Sequence, residues 1–164
     1  MRILYAPEPF WNESDRKVPS IFLAGPTPRE AGVPSWRPVA LDFLKAKKWE
    51  GIVMVPETRD GRWQHSYDDQ IEWECIMRDA ARVILFWVPR DMSPGPSGRA
   101  KMPALTTNVE FGLDIPTGKV IYGRPDHAPS CKYLDYHYHK FTGQRPFSEI
   151  EPMLIRAMEI SSTA

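Results

Sequence analysis

The first part of the chain that could do chemistry is a predicted helix over residues 66–81. Four of its side chains recur at helical spacing and share one face: Gln70, Trp73, Glu74 and Met77. A face that mixes an amide, an indole and a carboxylate is a poor core stripe and suits the wall of a ligand site. The alternative is a boundary helix on which Glu74 is solvated or paired with an arginine.

The second part is the segment 106–112, in which Glu110 stands between the apolar residues Val109 and Phe111. A glutamate in this setting is either a solvated helix residue or a carboxylate that points into a site. Burial would favour its protonated form unless neighbouring donors, such as Asn108, offset the effect. A carboxylate held in this way can act as a nucleophile, as in glycosyl transfer through a covalent sugar–enzyme intermediate.

Other chemistry finds little support. No G-x-G-x-x-G follows a predicted strand and no G-x-S-x-G occurs, so dinucleotide binding and serine hydrolysis are not indicated. Cys75 and Cys131 form no disulfide framework and no zinc knuckle. His137 and His139 could share a metal if their segment were extended, but a surface or packing role is favoured because no third ligand is apparent. We therefore expect neither a cofactor nor a metal ion.

These side chains must be positioned by alternating strands and helices. Apolar runs predict strands at 20–25, 51–56, 82–88 and 119–122, with an added edge strand at 1–6. Helices are expected at 35–47, 66–81, 102–113 and 148–161. This order predicts one α/β domain over residues 1–164 with a central parallel sheet. Ligands then sit beyond the carboxyl ends of the strands, near 25–29, 89–108 and 123–125, and the Pro/Gly-rich loop 92–101 is expected to act as a lid.

Composition narrows the function further. The 164 residues include 21 Lys plus Arg and 21 Asp plus Glu, and a net charge of zero argues against nucleic-acid binding. The longest apolar stretch, 83–88, is far shorter than the ~20 residues that span a membrane. With no recognisable signal peptide, a cytoplasmic protein is expected. Tryptophans 36, 63, 73 and 87 are either core residues or a flat wall for a planar ligand.

Four segments in this order resemble the nucleoside 2-deoxyribosyltransferase superfamily, and in particular its "nucleoside 2-deoxyribosyltransferase-like" branch. They are IFLAGPT (21–27), QIEWE (70–74), AARVILFW (80–87) and ALTTNVEFG (104–112). The resemblance covers roughly residues 20–125. It implies a flavodoxin-like, Rossmann-like three-layer sandwich that assembles as a homo-oligomer. It also implies cleavage of the N-glycosidic bond of a 2'-deoxynucleoside through a deoxyribosyl ester on a glutamate, followed by transfer of the sugar to a second base.

The resemblance assigns roles to particular residues. Glu110, followed by Phe111 and Gly112, matches the nucleophile. Glu74 matches the acid that hydrogen-bonds the base and handles its proton, although the family usually has the shorter Asp there. The candidate substrate-binding residues are Gly25, Pro26, Thr27, Trp36, Asp69, Gln70, Trp73 and Asn108. Trp36, Trp73 and Trp87 are candidates for stacking on the base.

Two features leave the substrate open. Many transferases have an Asp six residues before the nucleophile, where this chain has Ala104. Asn108 or Asp69 could substitute for it in binding the sugar hydroxyls. Arg29 and Arg37 are near enough in sequence to meet a phosphate if the substrate is a nucleotide. The leading prediction is transfer of 2-deoxyribose from a 2'-deoxynucleoside to another nucleobase, although the sequence does not decide between a nucleoside and a nucleotide substrate. Hydrolysis of either is the alternative, and a catalytically silent nucleotide-sensing module is a third reading.

Overall fold

The computed structural model describes residues 1–8, 15, 17–61 and 66–163. Its centre is a sheet of five strands: β1 (Arg2–Tyr5), β2 (Ser20–Ala24), β3 (Ile52–Val55), β4 (Val83–Trp87) and β7 (Val120–Gly123). The strands are parallel and lie in the order β1-β3-β2-β4-β7. The helices are α1 (Arg37–Ala46), α2 (Tyr67–Ala80), α3 (Leu105–Asp114), α4 (Lys132–Thr142) and α5 (Ile150–Thr163). Two short strands, β5 (Asp91–Pro94) and β6 (Ala100–Met102), form a separate hairpin.

Helices cover both faces of the sheet, as the continuous apolar strands require. On one face α2, α3 and α4 contribute buried side chains such as Met77, Phe111 and Leu134. On the other face α1 and α5 contribute Leu44 and Leu154. Each central strand contributes side chains to both of these buried clusters, because successive side chains alternate between the two faces of the sheet. The flavodoxin-like three-layer fold predicted from the sequence is confirmed.

The order of the strands fixes where a ligand crevice opens. From β2 the chain first moves to one side, forming β3, and then crosses to the other side, forming β4. The connections that leave the neighbouring strands β2 and β4 therefore run to opposite sides at the carboxyl edge of the sheet, which is where doubly wound proteins bind ligands. Gly25 ends β2 with φ +136°, and an added Cβ would lie 2.1 Å from the Trp87 carbonyl oxygen, so only glycine fits this turn.

One part of the chain folds differently from the prediction, and another adopts a structure that the sequence analysis left open. The segment 92–101, expected to be a flexible loop, lies largely in the β5–β6 hairpin, whose tip bonds to Glu30 through the amide of Ser97 at 3.2 Å. The aromatic segment 133–141 lies in helix α4. His137 and His139 are therefore about 200° apart around a helix, so the extended pair that could share a metal does not form. Instead, the His137 ring packs 4.5 Å from that of Tyr133.

Helix boundaries differ from the prediction by a few residues. The helix expected from 102 begins at Leu105, because Met102 pairs in β6 and Ala104 adopts φ +58°, outside helical geometry. Ser66 does open α2: its hydroxyl accepts the Asp69 amide at 3.1 Å, and the Asp69 carboxylate accepts the Ser66 amide at 3.3 Å. The edge strand β1 forms and pairs with β3. Within the described residues, no helix has the length and apolar character needed to cross a membrane.

Candidate active site

A cavity of about 460 Å³ opens at the carboxyl edge of the sheet, between α2 and α3. Its floor is formed by Phe22 and by the turns after β2 and β3. Among the residues that the structure describes, the lining is Phe22, Gly25, Thr27, Arg29, Arg37, Pro56, Tyr67, Gln70, Ile71, Glu74, Cys75, Arg78, Thr106, Val109, Glu110 and Leu113. The volume lies within the range usual for small-molecule sites, ~300–1,000 Å³.

Two rows of polar side chains face each other across this cavity. Helix α2 presents Gln70, Glu74 and Arg78 at intervals of four residues. Helix α3 presents Thr106 and Glu110 at the same interval. Residues four positions apart lie above one another on a helix, so each row runs along the helix axis. The cavity therefore holds two carboxyl groups, one from each helix.

The two carboxyl groups are in contact. A hydrogen bond joins the Glu110 and Glu74 side chains, and only 19% of the Glu110 side chain is exposed. Burial, followed by the charge of Glu74, raises the pKa of Glu110 to about 7, although Arg78 and Arg37 act in the opposite direction. Two carboxylates this close cannot both ionise readily. Below about pH 7 the pair therefore keeps a proton.

Each carboxyl has its own second partner. The Gln70 amide donates to Glu74 Oε1 at 2.5 Å, and the same nitrogen lies 3.4 Å from the Pro56 carbonyl oxygen. Arg78 Nη1 lies 3.5 Å from Glu110 Oε1. The neutral amide thus contacts Glu74, whereas the cation contacts Glu110. Arg78 therefore lowers the pKa of Glu110, against the larger opposite effect of burial.

Arg37 anchors the turn that closes the sheet side of the cavity. Its guanidinium donates to the carbonyl oxygens of Leu23 at 3.0 Å and Gly25 at 2.7 Å, and pairs with Glu57 at 2.6 Å. It also donates to the Thr27 hydroxyl at 3.1 Å. Only 1% of Arg37 is exposed. Since these partners take most of its donors, Arg37 chiefly holds the turn in place; because it also lines the cavity, its contact with a phosphate stays a prediction.

Five of the predicted site residues line the cavity: Gly25, Thr27, Gln70, Glu74 and Glu110. Pro26 lines a smaller neighbouring cavity of about 220 Å³, which shares Thr27, Arg29 and Thr106 with the first. Arg29 is exposed, and its side chain makes no ion pair or hydrogen bond with the residues that the structure describes. The Arg29 guanidinium is therefore available to bind an anionic group of a substrate.

The other predicted binding residues lie outside this cavity. The Trp73 ring packs on Phe22 and its nitrogen donates to the Glu8 carbonyl oxygen at 2.9 Å. Trp36 donates to the Pro26 carbonyl oxygen at 3.2 Å. Trp87 lies in the cluster on the opposite face of the sheet. All three are at least 92% buried, so none offers the free ring face expected for stacking on a base, and the expectation is corrected. Trp63 lies outside the described residues.

The two polar candidates for sugar binding are also used elsewhere. Asp69 completes the N-terminal cap of α2, as described above. Asn108 accepts a hydrogen bond of 2.5 Å from Arg90, on the side of α3 away from the cavity lining. Neither lines the cavity, so neither takes the place of the Asp that Ala104 replaces.

Sequence reasoning missed the apolar rim of the cavity and the part played by Arg78. Tyr67 and Ile71 on α2 and Val109 and Leu113 on α3 line the mouth, although each is between 44 and 65% exposed. Their four-residue spacing was available in the sequence, but exposed apolar residues carry no signal that distinguishes a rim from an ordinary surface. Arg78 follows Glu74 by four residues, and this spacing was the signal that could have identified it.

The protein is of the doubly wound α/β class, and it carries a pair of carboxyl groups at the edge of the sheet where the strand order reverses. Comparison with family models gives a match to the family described as nucleoside 2-deoxyribosyltransferase-like, over residues 18–128. The match covers more than half of the chain and includes both Glu74 and Glu110, and the chain belongs to this family. The comparison with curated proteins finds no match.

Proposed function

We propose that the protein is a nucleoside deoxyribosyltransferase that moves 2-deoxyribose from one nucleobase to another. The observation that carries the proposal is the contact between Glu110 and Glu74 in a cavity large enough for a small molecule. A pair that holds one proton supplies both a nucleophilic carboxylate and an acid. Family membership supports a nucleoside-type substrate.

In the first step, an oxygen of the Glu110 carboxylate attacks C1' of the sugar. The C1'–N bond breaks, and its electron pair goes to the nitrogen of the leaving base. Glu74 donates its proton to that base, so a neutral base leaves and a deoxyribosyl ester forms on Glu110. The sugar must separate the two carboxyls as it enters, which replaces their mutual hydrogen bond with contacts to the substrate.

In the second step, a nitrogen of the incoming base attacks C1' from the face that the first base left. The ester C1'–O bond breaks and its electrons return to the Glu110 carboxylate. Glu74, now ionised, accepts the proton that the incoming nitrogen loses. Two inversions give net retention at C1', and the pair of glutamates ends with the same single proton.

Hydrolysis is the second candidate, and one observation favours it. The side chains at the mouth of the cavity are among the more exposed apolar residues of the chain, so water reaches the ester in an isolated subunit. Water attacking C1' would pass its proton to Glu74 and release free deoxyribose. Assembly into the homo-oligomer that the family resemblance implies would decide how much of this rim is covered.

The test uses one deoxynucleoside, with and without a different free base, followed by chromatography of the products. A new deoxynucleoside that appears only with the second base supports transfer. Free base and free deoxyribose in both reactions would replace the proposal with a hydrolase. No cleavage of nucleosides or nucleotides, together with tight binding, would replace it with a sensing module.

Two variants make the assay specific to the site. Glu110→Ala should lose at least ~10³-fold in turnover, as expected when a central catalytic group is removed. Glu72→Gln changes an exposed carboxyl on the same helix as Glu74 and should keep full activity. Activity of Glu110→Ala within tenfold of the unmodified protein would refute the role of Glu110.

A further inference from the structure

We propose that Arg78 and Asp114 form a positioning pair that sets the charge of Glu110: Arg78 favours the carboxylate, and Asp114 moderates this effect by sharing Arg78. Arg78 Nε lies 3.0 Å from Asp114 Oδ2, and Arg78 Nη1 lies 3.5 Å from Glu110 Oε1. One guanidinium thus bridges two carboxylates of the same helix. The catalytic role of this pair rests on the proposed function, whereas the contacts that form the pair do not depend on that function.

The pair extends the two facing rows of the cavity by one helical turn. Arg78 lies one turn beyond Glu74 on α2, and Asp114 lies one turn beyond Glu110 on α3. Asp114 is outside the cavity lining and Arg78 is within it. Because Asp114 attracts the Nε edge of the guanidinium, the Nη1 end of Arg78 is directed towards Glu110.

Burial makes this arrangement effective. Arg78 is 7% exposed and Asp114 is 9% exposed, so solvent screens their charges weakly. Burial also raises the pKa of Asp114, with Arg78 and Lys119 opposing it. A buried arginine divided between two carboxylates attracts each of them less than it would attract one alone. Asp114 therefore limits how strongly Arg78 favours the charged form of Glu110.

The charged and titratable groups around Glu110 come from several elements. Those that act on it or on its partners are Arg37 from α1, Glu74, Cys75 and Arg78 from α2, Asp114 from α3, and Lys119 before β7. Arg37 is bound to Glu57 and to the turn after β2. Cys75 accepts a 3.6 Å hydrogen bond from Arg78. Arg78 is the cation in direct contact with Glu110, so its loss should have the largest effect.

The test measures the titration of Glu110 directly. Protein labelled with carboxyl-¹³C glutamate is titrated by NMR, and the Glu110 signal is the one that Glu110→Gln removes. In Asp114→Asn, which keeps the shape of the side chain, the midpoint of Glu110 should move to lower pH by about one unit, since Arg78 then serves one carboxylate. In Arg78→Met the midpoint of Glu110 should move to higher pH by a similar amount, and in Arg78→Lys most of this shift should disappear.

Activity gives a second readout that a purely structural role would not move. The acidic limb of the pH profile of kcat/KM should follow the NMR midpoint: lower in Asp114→Asn and higher in Arg78→Met. Asp79→Asn, an exposed acid next to Arg78 in sequence, is the control and should leave both unchanged. Equal losses at every pH, with the Glu110 midpoint unmoved in Asp114→Asn, would overturn the proposal.

The two readouts separate the pair from the proposed function. Opposite NMR shifts in a protein that cleaves no nucleoside would support the positioning pair and refute the function. Cleavage by the unmodified protein, combined with unshifted titrations in the variants, would support the function and refute the pair. If Arg78→Met does not fold, Asp114→Asn and Arg78→Lys decide the question.

Discussion

Replacing Glu110 with glutamine should make the folded chain more stable above pH 7 and leave its stability almost unchanged near pH 4. Burial and Glu74 raise the pKa of this carboxyl from its ordinary 4.5 to about 7 in the folded protein. Below pH 4.5 the group is protonated in both the folded and unfolded chains. As the pH rises, the unfolded chain ionises first, which favours unfolding, and the effect is complete once the pH exceeds 7.

The size of the effect follows from the difference in pKa. A rise from 4.5 to about 7 corresponds to about 3 kcal/mol at about 1.4 kcal/mol per pKa unit. The carboxyl is mostly buried, with 19% of its side chain exposed, so solvent reduces this value only in part. Glutamine is nearly isosteric and can still hydrogen-bond Glu74. We therefore expect Glu110→Gln to gain up to about 3 kcal/mol at pH 8.

Urea unfolding at pH 4, 6 and 8 measures this gain in each protein. The stabilising effect of Glu110→Gln should grow across the series, while Glu72→Gln, on the exposed side of α2, should show no such growth. A variant that is no more stable than the unmodified protein at pH 8 would refute the reasoning. So would a stability difference that is the same at all three pH values.

Three further perturbations test other parts of the site. Glu74→Gln should slow the poorest leaving bases most in steady-state kinetics, because it removes the proton they need; an equal loss for every base would contradict that role. Arg37→Met should cost about 3–5 kcal/mol in urea unfolding because Glu57 loses its buried cation and the carbonyl oxygens of Leu23 and Gly25 lose their side-chain donor, and stability equal to that of Arg29→Met would refute this structural role of Arg37. A thiol reagent should label Cys75 and spare buried Cys131, and a bound nucleoside should slow the labelling; an unchanged rate would argue against binding in this cavity.

The sheet was predictable because its strands are short, apolar and separated by strong turn signals. The run VILFW is buried at every position, and Gly25 followed by proline marks the end of β2. Ser66 identified the start of α2 through a local cap that needs no tertiary contact. Such local signals were sufficient to give the order of elements and hence the edge of the sheet at which a site would form.

What could not be predicted depends on contacts distant in sequence. The hairpin of 91–102 relies on Glu30, more than sixty residues away from Ser97, to hold its tip. Trp73 neighbours Glu74 in sequence, but the Trp73 ring packs on Phe22, whereas the Glu74 side chain lines the cavity. The contact between Glu74 and Glu110 joins two helices, so it could be expected only through the resemblance to a family. The resemblance did not point to the ion pair between Arg78 and Asp114.

The most direct test of the central claim is to find where the sugar is attached during turnover. The protein is mixed with a deoxynucleoside, quenched in acid within the first turnover, digested, and analysed by mass spectrometry. We predict a deoxyribosyl mass on the peptide that contains Glu110, and its absence in Glu110→Gln. Turnover without any adduct, or an adduct on Glu74 instead, would contradict Glu110 as the nucleophile.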